Sequence, residues 1–289
     1  TPPHGFGTNV HYMATLLVKA VTEGRALVEE GIGPYNTSGF LLPLSACLPG
    51  EVQANSVPIH GRNDQITYID ASMEDSHYIP PAYRAYSHGV LWWYSQLVGF
   101  VIRPNERLLS MIRGMKNMIG YSHPVLGVQV RRGDSCAHAG SSTIRPPCQS
   151  IDTYIALSEK FISAYGYKQI FLATDDQEVV EQFRQHATVK VVSLPVDRGI
   201  FDSSFFIEYR LMKGYTDGEA VTRSTLLDLF LLAEADALVA GFGSHFGRMA
   251  FELSVYIKGY VPPYSSVDYP YCSHFKEKRP IGTWAAQFC

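Results

Sequence analysis

From Pro124 to Tyr256 the chain alternates short apolar runs with longer segments whose apolar residues recur every three or four positions. Val125–Val130, Gln169–Thr174, Val189–Leu194 and Ala237–Ala240 read as strands. The spacing predicts helices over 151–165, 176–187, 222–235 and 245–256. Strands that alternate with helices must be joined by crossovers, so the fold class is α/β, with a parallel sheet covered on both faces. Upstream, Val10, Met13, Leu16, Leu17 and Ala20 form one apolar face of a helix from Thr8 to Glu23. Gly24 stops it, and Arg25–Val28 reads as a strand. A second helical region, 83–120, breaks near Pro104. Residues 30–80 carry Pro34, Pro43, Pro49 and Pro58 and read as loops. A boundary near 118–124 divides the chain into two lobes, residues 1–120 and 121–289.

Composition narrows the class of protein. Of 289 residues, 46% are hydrophobic and 18% charged, enough for a large core and too apolar for a disordered chain. The net charge of −3 comes without basic or acidic blocks, so no nucleic-acid partner is expected. The longest apolar run, Thr225 to Val239, is interrupted by Asp228, Glu234 and Asp236 and is too short to span a membrane. With no signal peptide and no initiator Met, the chain reads as a mature or trimmed luminal piece, any membrane anchor lying outside it. Cysteines at 47, 136, 148, 272 and 289 match no zinc spacing, but allow two local disulfides, Cys136 with Cys148 and Cys272 with Cys289. Asn36-Thr37-Ser38 is an N-glycosylation sequon. Together these point to the lumen of the secretory pathway, Golgi or ER, or to secretion.

Ligands of open parallel sheets bind beyond the carboxyl ends of the strands. Three such ends carry chemistry. After the first strand come Arg131 and Arg132, preceded by Gln129. Consecutive residues of a strand face opposite ways, so one arginine faces a cleft and the other the interior. A guanidinium there suits a diphosphate leaving group, or forms an ion pair with Asp134 or another carboxylate. After the second strand come Asp175 and Asp176. One of them caps the next helix, and the other is left for ligand or loop contacts. After the last strand, Gly241-Phe242-Gly243-Ser244-His245-Phe246-Gly247 leads into a helix, either as an anion-binding turn or as a tight turn alone. Asp228 sits within an apolar helical run, where a carboxylate needs a partner, and guanine offers a pair of donors. Ser244 and His245 are adjacent and cannot act as nucleophile and base, and no metal-ligand set is evident.

In order along the chain, these segments resemble the α1,6-fucosyltransferase family and its relatives, the nodulation fucosyltransferases and protein O-fucosyltransferases. The resemblance rests on Gly5-Phe6-Gly7, on Trp92–Gln96 with Ile102-Arg103-Pro104, and on His123–Asp134. It rests equally on Phe171–Asp176, Leu227–Asp236 and Phe242–Glu252. It implies a GT-B-like fold of two Rossmann-like lobes, with the nucleotide-sugar site in the C-terminal lobe and the acceptor side in the N-terminal one. It further implies GDP-fucose as donor, inversion at the anomeric carbon, a glycan or glycoprotein hydroxyl as acceptor, and no metal. Carried over by position, Arg131 holds the diphosphate and Arg132 supports the same region. Asp228 reads guanine, Ser244 with the amides of His245 and Phe246 binds phosphate, and Gly5 and Gly7 approach the donor from the other lobe.

The chain departs from this family in two places. Gln129 stands where most relatives have His. The stretch after Asp134 lacks the lysine and glutamate found there in the α1,6 enzymes, which leaves His138 as candidate general base, or as a solvated loop residue. Other readings are a transferase using a different nucleotide-sugar, and a scaffold that keeps the fold without catalysis.

Overall fold

The computed structural model describes residues 4–29, 31–47, 79–86, 88–137, 148–201, 205–269 and 271. His138, Cys272 and Cys289 lie outside the described residues.

Five parallel strands form one sheet: β1 (Val125–Val130), β2 (Gln169–Thr174), β3 (Lys190–Val192), β4 (Ala237–Ala240) and β5 (Tyr264–Ser266). Their spatial order is β3-β2-β1-β4-β5. β1 pairs in register with both β2, Val130 opposite Thr174, and β4, Gln129 opposite Ala240. The strand order therefore reverses between β1 and β4, and a crevice opens at that switch point.

The sheet separates two apolar layers, and the strands show why by alternation. Val125, Phe171, Ala173, Leu238 and Ala240 pack on one face, in a cluster with α1 (Phe6–Thr22), α2 (Val90–Val101), α8 (Gly218–Glu234) and α9 (His245–Lys258). Leu126, Val128, Val130, Ile170, Leu172 and Val239 point to the other, against α5 (Ile151–Tyr165) and α6 (Gln177–His186). The first cluster runs without a break from Val10 and Ala14 of α1 to Phe251 and Val255 of α9, so both halves of the chain share a core.

The expected strand Arg25–Val28 belongs to no ladder. Arg25 N instead bonds Ala20 O at the end of α1, and no strand of the described residues lies beside it. Among the described residues the only sheet is therefore that of the C-terminal half. The helical region 83–120 resolves into a 3₁₀ turn at Pro81–Tyr86, α2, and α3 (Glu106–Ile119), which Asn105 caps by accepting from Leu108 N at 3.0 Å. Two short helices, α4 (Gly133–Ala137) and α7 (Ile207–Lys213), complete the chain order.

Candidate functional site

A cavity of about 410 Å³ lies at the switch point. Its walls are the ends of β1 and β2, the turn from β4 into α9, the start of α1, the start of α7, and Asp228 of α8. Of the residues singled out in the sequence, Gly5, Gly7, Gln129, Arg131, Asp175, Asp228, Ser244, His245 and Phe246 line it. Arg132 and Asp176 do not.

The two arginines, just beyond the end of β1, face different ways. Arg131 faces the cavity. It donates from Nη2 to Asp134 Oδ1 at 2.5 Å and from Nε to Ser135 Oγ at 2.9 Å, with Asp175 Oδ2 at 3.6 Å. Burial disfavours its charge, but Asp175, Asp134 and Glu208 overcome that and raise its pKa above the usual arginine value. Arg132 lies 3.7 Å from Asp176 Oδ2, and its amide donates to Asp175 Oδ1 at 2.9 Å. Asp176 caps α6, accepting from Glu178 N at 2.9 Å. Asp175 is the one that turns inward, and burial raises its pKa despite Arg131.

Two buried acceptors that line the cavity have no partner among the described residues: Gln129 Oε1 and Asp228 Oδ1. Burial pushes the Asp228 carboxyl up to about 8, against the opposing pull of Arg198. Leaving such an oxygen unbonded costs about 1–3 kcal/mol.

The third wall is built from helix starts. Helices α3, α5, α6 and α8 begin at Asn105, Ser150, Asp176 and Asp217, each accepting an amide through its side chain. α1 and α9 begin at Gly5 and Ser244 with no side-chain cap and no acidic residue in the first turn. Their first-turn amides are presented at the cavity wall, the arrangement that favours an anion. The two starts abut: a Cβ on Gly7 would sit 2.7 Å from His245 C and 2.8 Å from Phe246 N. Gly7 is thus glycine because backbone passes over backbone there.

Behind this wall, Arg248 Nη2 lies 2.7 Å from His245 Nδ1. A guanidinium can only donate, so Nδ1 accepts and the His245 proton resides on Nε2. Burial, then Arg248, His11 and His4, hold the His245 pKa well below its usual value, so the ring is neutral.

Several lining residues carried no signal in the sequence. Asp268, two residues beyond β5, accepts Gly243 N at 3.1 Å and Tyr269 N at 2.6 Å. Glu208 and Tyr35 come from a short helix and a loop. Cys136 and Cys148, with Cα atoms 5.7 Å apart, form a disulfide whose second half lines the cavity. Asn36 is exposed, and Ser38 Oγ donates to its Oδ1 at 3.0 Å. Among the described residues no group of three or more His, Cys, Asp or Glu could hold a metal ion. No helix among them is long and apolar enough to cross a membrane.

The family model of alpha-(1,6)-fucosyltransferase N- and catalytic domains matches residues 4–271. An alpha-(1,6)-fucosyltransferase of Drosophila melanogaster is 26% identical over 273 residues, covering 86% of this chain but 42% of the relative, less than half its length. Among solved structures, the fucosyltransferase NodZ from Bradyrhizobium aligns with a TM-score of 0.50 and 18% identity, over 85% of this chain and 88% of that one. A NodZ alpha-1,6-fucosyltransferase co-crystallized with GDP gives 0.50 and 17% over the same shares. At those identities the likeness speaks for the fold, which is α/β of the GT-B type. The family match spans every wall of the cavity, from Gly5 to Asp268, and the chain belongs to the alpha-(1,6)-fucosyltransferase family.

Proposed function

We propose that the chain is the catalytic unit of an inverting fucosyltransferase that binds GDP-fucose in this cavity and transfers fucose to a hydroxyl of a glycan or glycoprotein. The observation that carries it is the pairing of two orphaned acceptors with two uncapped helix starts in one cavity. Guanine presents neighbouring N–H donors on one edge, which Asp228 Oδ1 and Gln129 Oε1 accept. The diphosphate then meets Ser244, the amides of His245 and Phe246, and the start of α1 at Gly5 and Gly7. Arg131 takes the charge that builds on the leaving phosphate as the glycosidic bond lengthens. Arg132 and Asp176 act at one remove, holding β1 against the start of α6. The reaction needs no metal, because Arg131 and the helix starts supply the positive potential.

In this reading residues 121–289 form the nucleotide-sugar lobe and residues 1–120 the acceptor side, with α1 lending its first turn to the donor. Work in the secretory lumen is supported by the Cys136–Cys148 disulfide and the exposed sequon at Asn36.

Calorimetric titration of the chain with GDP, GDP-fucose, GDP-mannose and UDP, with and without EDTA, tests the proposal. GDP and GDP-fucose should bind, UDP should not, and EDTA should change nothing. Equal affinity for UDP and GDP would overturn the nucleobase assignment, and no binding of any nucleotide would overturn the function.

A further inference from the structure

Arg131 takes its direction from a helix too short to hold itself. Its Nε donates to Ser135 Oγ at 2.9 Å and its Nη2 to Asp134 Oδ1 at 2.5 Å, and both acceptors sit on α4. That helix is five residues long, little more than one turn, and a helix of that length does not persist unaided. Gly133 and Asp134 are poor helix formers as well.

Two ties hold the turn in place. Asp134 Oδ2 accepts from Ile207 N at 3.0 Å, which secures its first half. The second half is secured covalently. Cys136 is joined to Cys148, 12 residues on, and the Cys136 sulfur lies 3.7 Å from Arg131 O. Cys148 stands two residues before Ser150, which caps α5 by accepting from Thr153 N at 3.2 Å. α5 in turn places Ile151 and Tyr154 in the apolar layer with Leu126, Val128 and Val130 of β1, the strand that leads into Arg131. The disulfide thus closes a circuit from β1 through α4 and α5 back to β1, with Arg131 at the junction of β1 and α4.

We infer, resting on the transferase reading above, that the Cys136–Cys148 disulfide is a positioning clamp for Arg131, holding its guanidinium in the cavity orientation that turnover requires. In that reading the nucleotide has other anchors in Gln129, Asp228 and the starts of α1 and α9. Loss of the clamp therefore falls on the chemical step and spares affinity. A guanidinium displaced by about an ångström from the developing charge forfeits on the order of a hundredfold in rate.

The bond is broken in two ways, by Cys136→Ala/Cys148→Ala and by dithiothreitol on the folded chain. The dithiol passes two electrons and two protons to the cystine and itself closes to a cyclic disulfide. The Arg131 Nε–H gives a nitrogen-15 NMR signal, assigned by its disappearance in Arg131→Lys. In the oxidised chain this signal should stand apart from those of exposed arginines and exchange slowly with water. In the reduced chain and in the double variant it should move to the exposed-arginine position. For GDP release from GDP-fucose, kcat should fall by about 10- to 100-fold while KM stays within about threefold. Reoxidation should restore the reduced chain, and dithiothreitol should do nothing further to the double variant. In an Arg131→Ala background, breaking the bond should cost no additional turnover, whereas a general support of the fold would cost as much there as in wild type. An unmoved signal overturns the inference. So does kcat within about threefold of wild type after reduction, or an equal loss in the Arg131→Ala background. A wild-type chain that releases no GDP, while its signal responds to reduction, overturns the transferase reading and upholds the clamp alone.

Discussion

His11 Nε2 and Glu252 Oε2 lie 2.7 Å apart, although 241 residues separate them in the chain. Glu252 is fully buried and also accepts from the Tyr271 hydroxyl at 2.9 Å. On its other side, His11 Nδ1 lies 2.6 Å from His245 Nδ1, an atom that already accepts from Arg248. This contact ties the second turn of α1 to α9 directly behind the cavity.

Removing one partner of a buried hydrogen bond leaves the other group unsatisfied, at a cost of about 1–3 kcal/mol. His11→Ala should lower the unfolding free energy by about 1–3 kcal/mol, measured by urea denaturation. Equal stability of the single variant and wild type would show that the pair contributes nothing.

Asp228 trades stability for binding. Its folded pKa of about 8 lies far above that of an exposed carboxyl, so between roughly pH 4 and 8 the folded state holds a proton that the unfolded state has released. Its contribution to stability accordingly falls as pH rises through this window. Asp228→Asn should raise the melting temperature at pH 8, by about 2–4 °C for each kcal/mol regained. If guanine recruits the carboxylate, GDP affinity in the wild type should climb with pH toward 8, and the Asn variant should be both weaker and flat.

The neighbours Arg131 and Arg132 should behave unequally. Arg131→Ala removes the guanidinium that faces the cavity, and turnover should drop by about 100- to 1,000-fold. Arg132 makes a 3.7 Å contact with Asp176 outside the cavity, both side chains about one-third exposed, and such pairs contribute at most about 1 kcal/mol. Arg132→Ala should stay within about tenfold of wild type in steady-state assays. Parity of the two variants would contradict the geometry.

Asn36 should carry a glycan when the chain passes through a secretory pathway. Both Asn36 and Ser38 are exposed, so the sequon can be reached. Treatment with a peptide N-glycosidase should lower the mass by one glycan, and Ser38→Ala should abolish the difference.

The parts of this fold that were legible in the sequence are those where one local pattern decides the outcome. β1, β2 and β4 are buried along their whole length, so their apolar runs end where the strands end. β5 is three partly exposed residues at a sheet edge, and α7 is seven residues long; neither leaves a periodic trace. The apolar stretch 25–28 looks like a strand but pairs with none, and pairing is a property of its neighbours. The site follows the same division. Arg131, Asp175 and Ser244 follow strands and could be located by rule. Asp268 and Glu208 arrive from pieces too short to assign, and His11 meets Glu252 only because α1 packs on α9.

The abutting starts of α1 and α9 have a thermodynamic consequence. Each helix points its partly positive end at the same small volume, and two like poles held together repel. A doubly charged anion between them reverses the sign of that term. On the proposed function, a nucleotide bound there would act as a clasp between the first and last helices of the shared core, and should raise the unfolding free energy by about 2.7 kcal/mol at a hundredfold excess over Kd. The donor, on this view, is part of what holds the molecule closed.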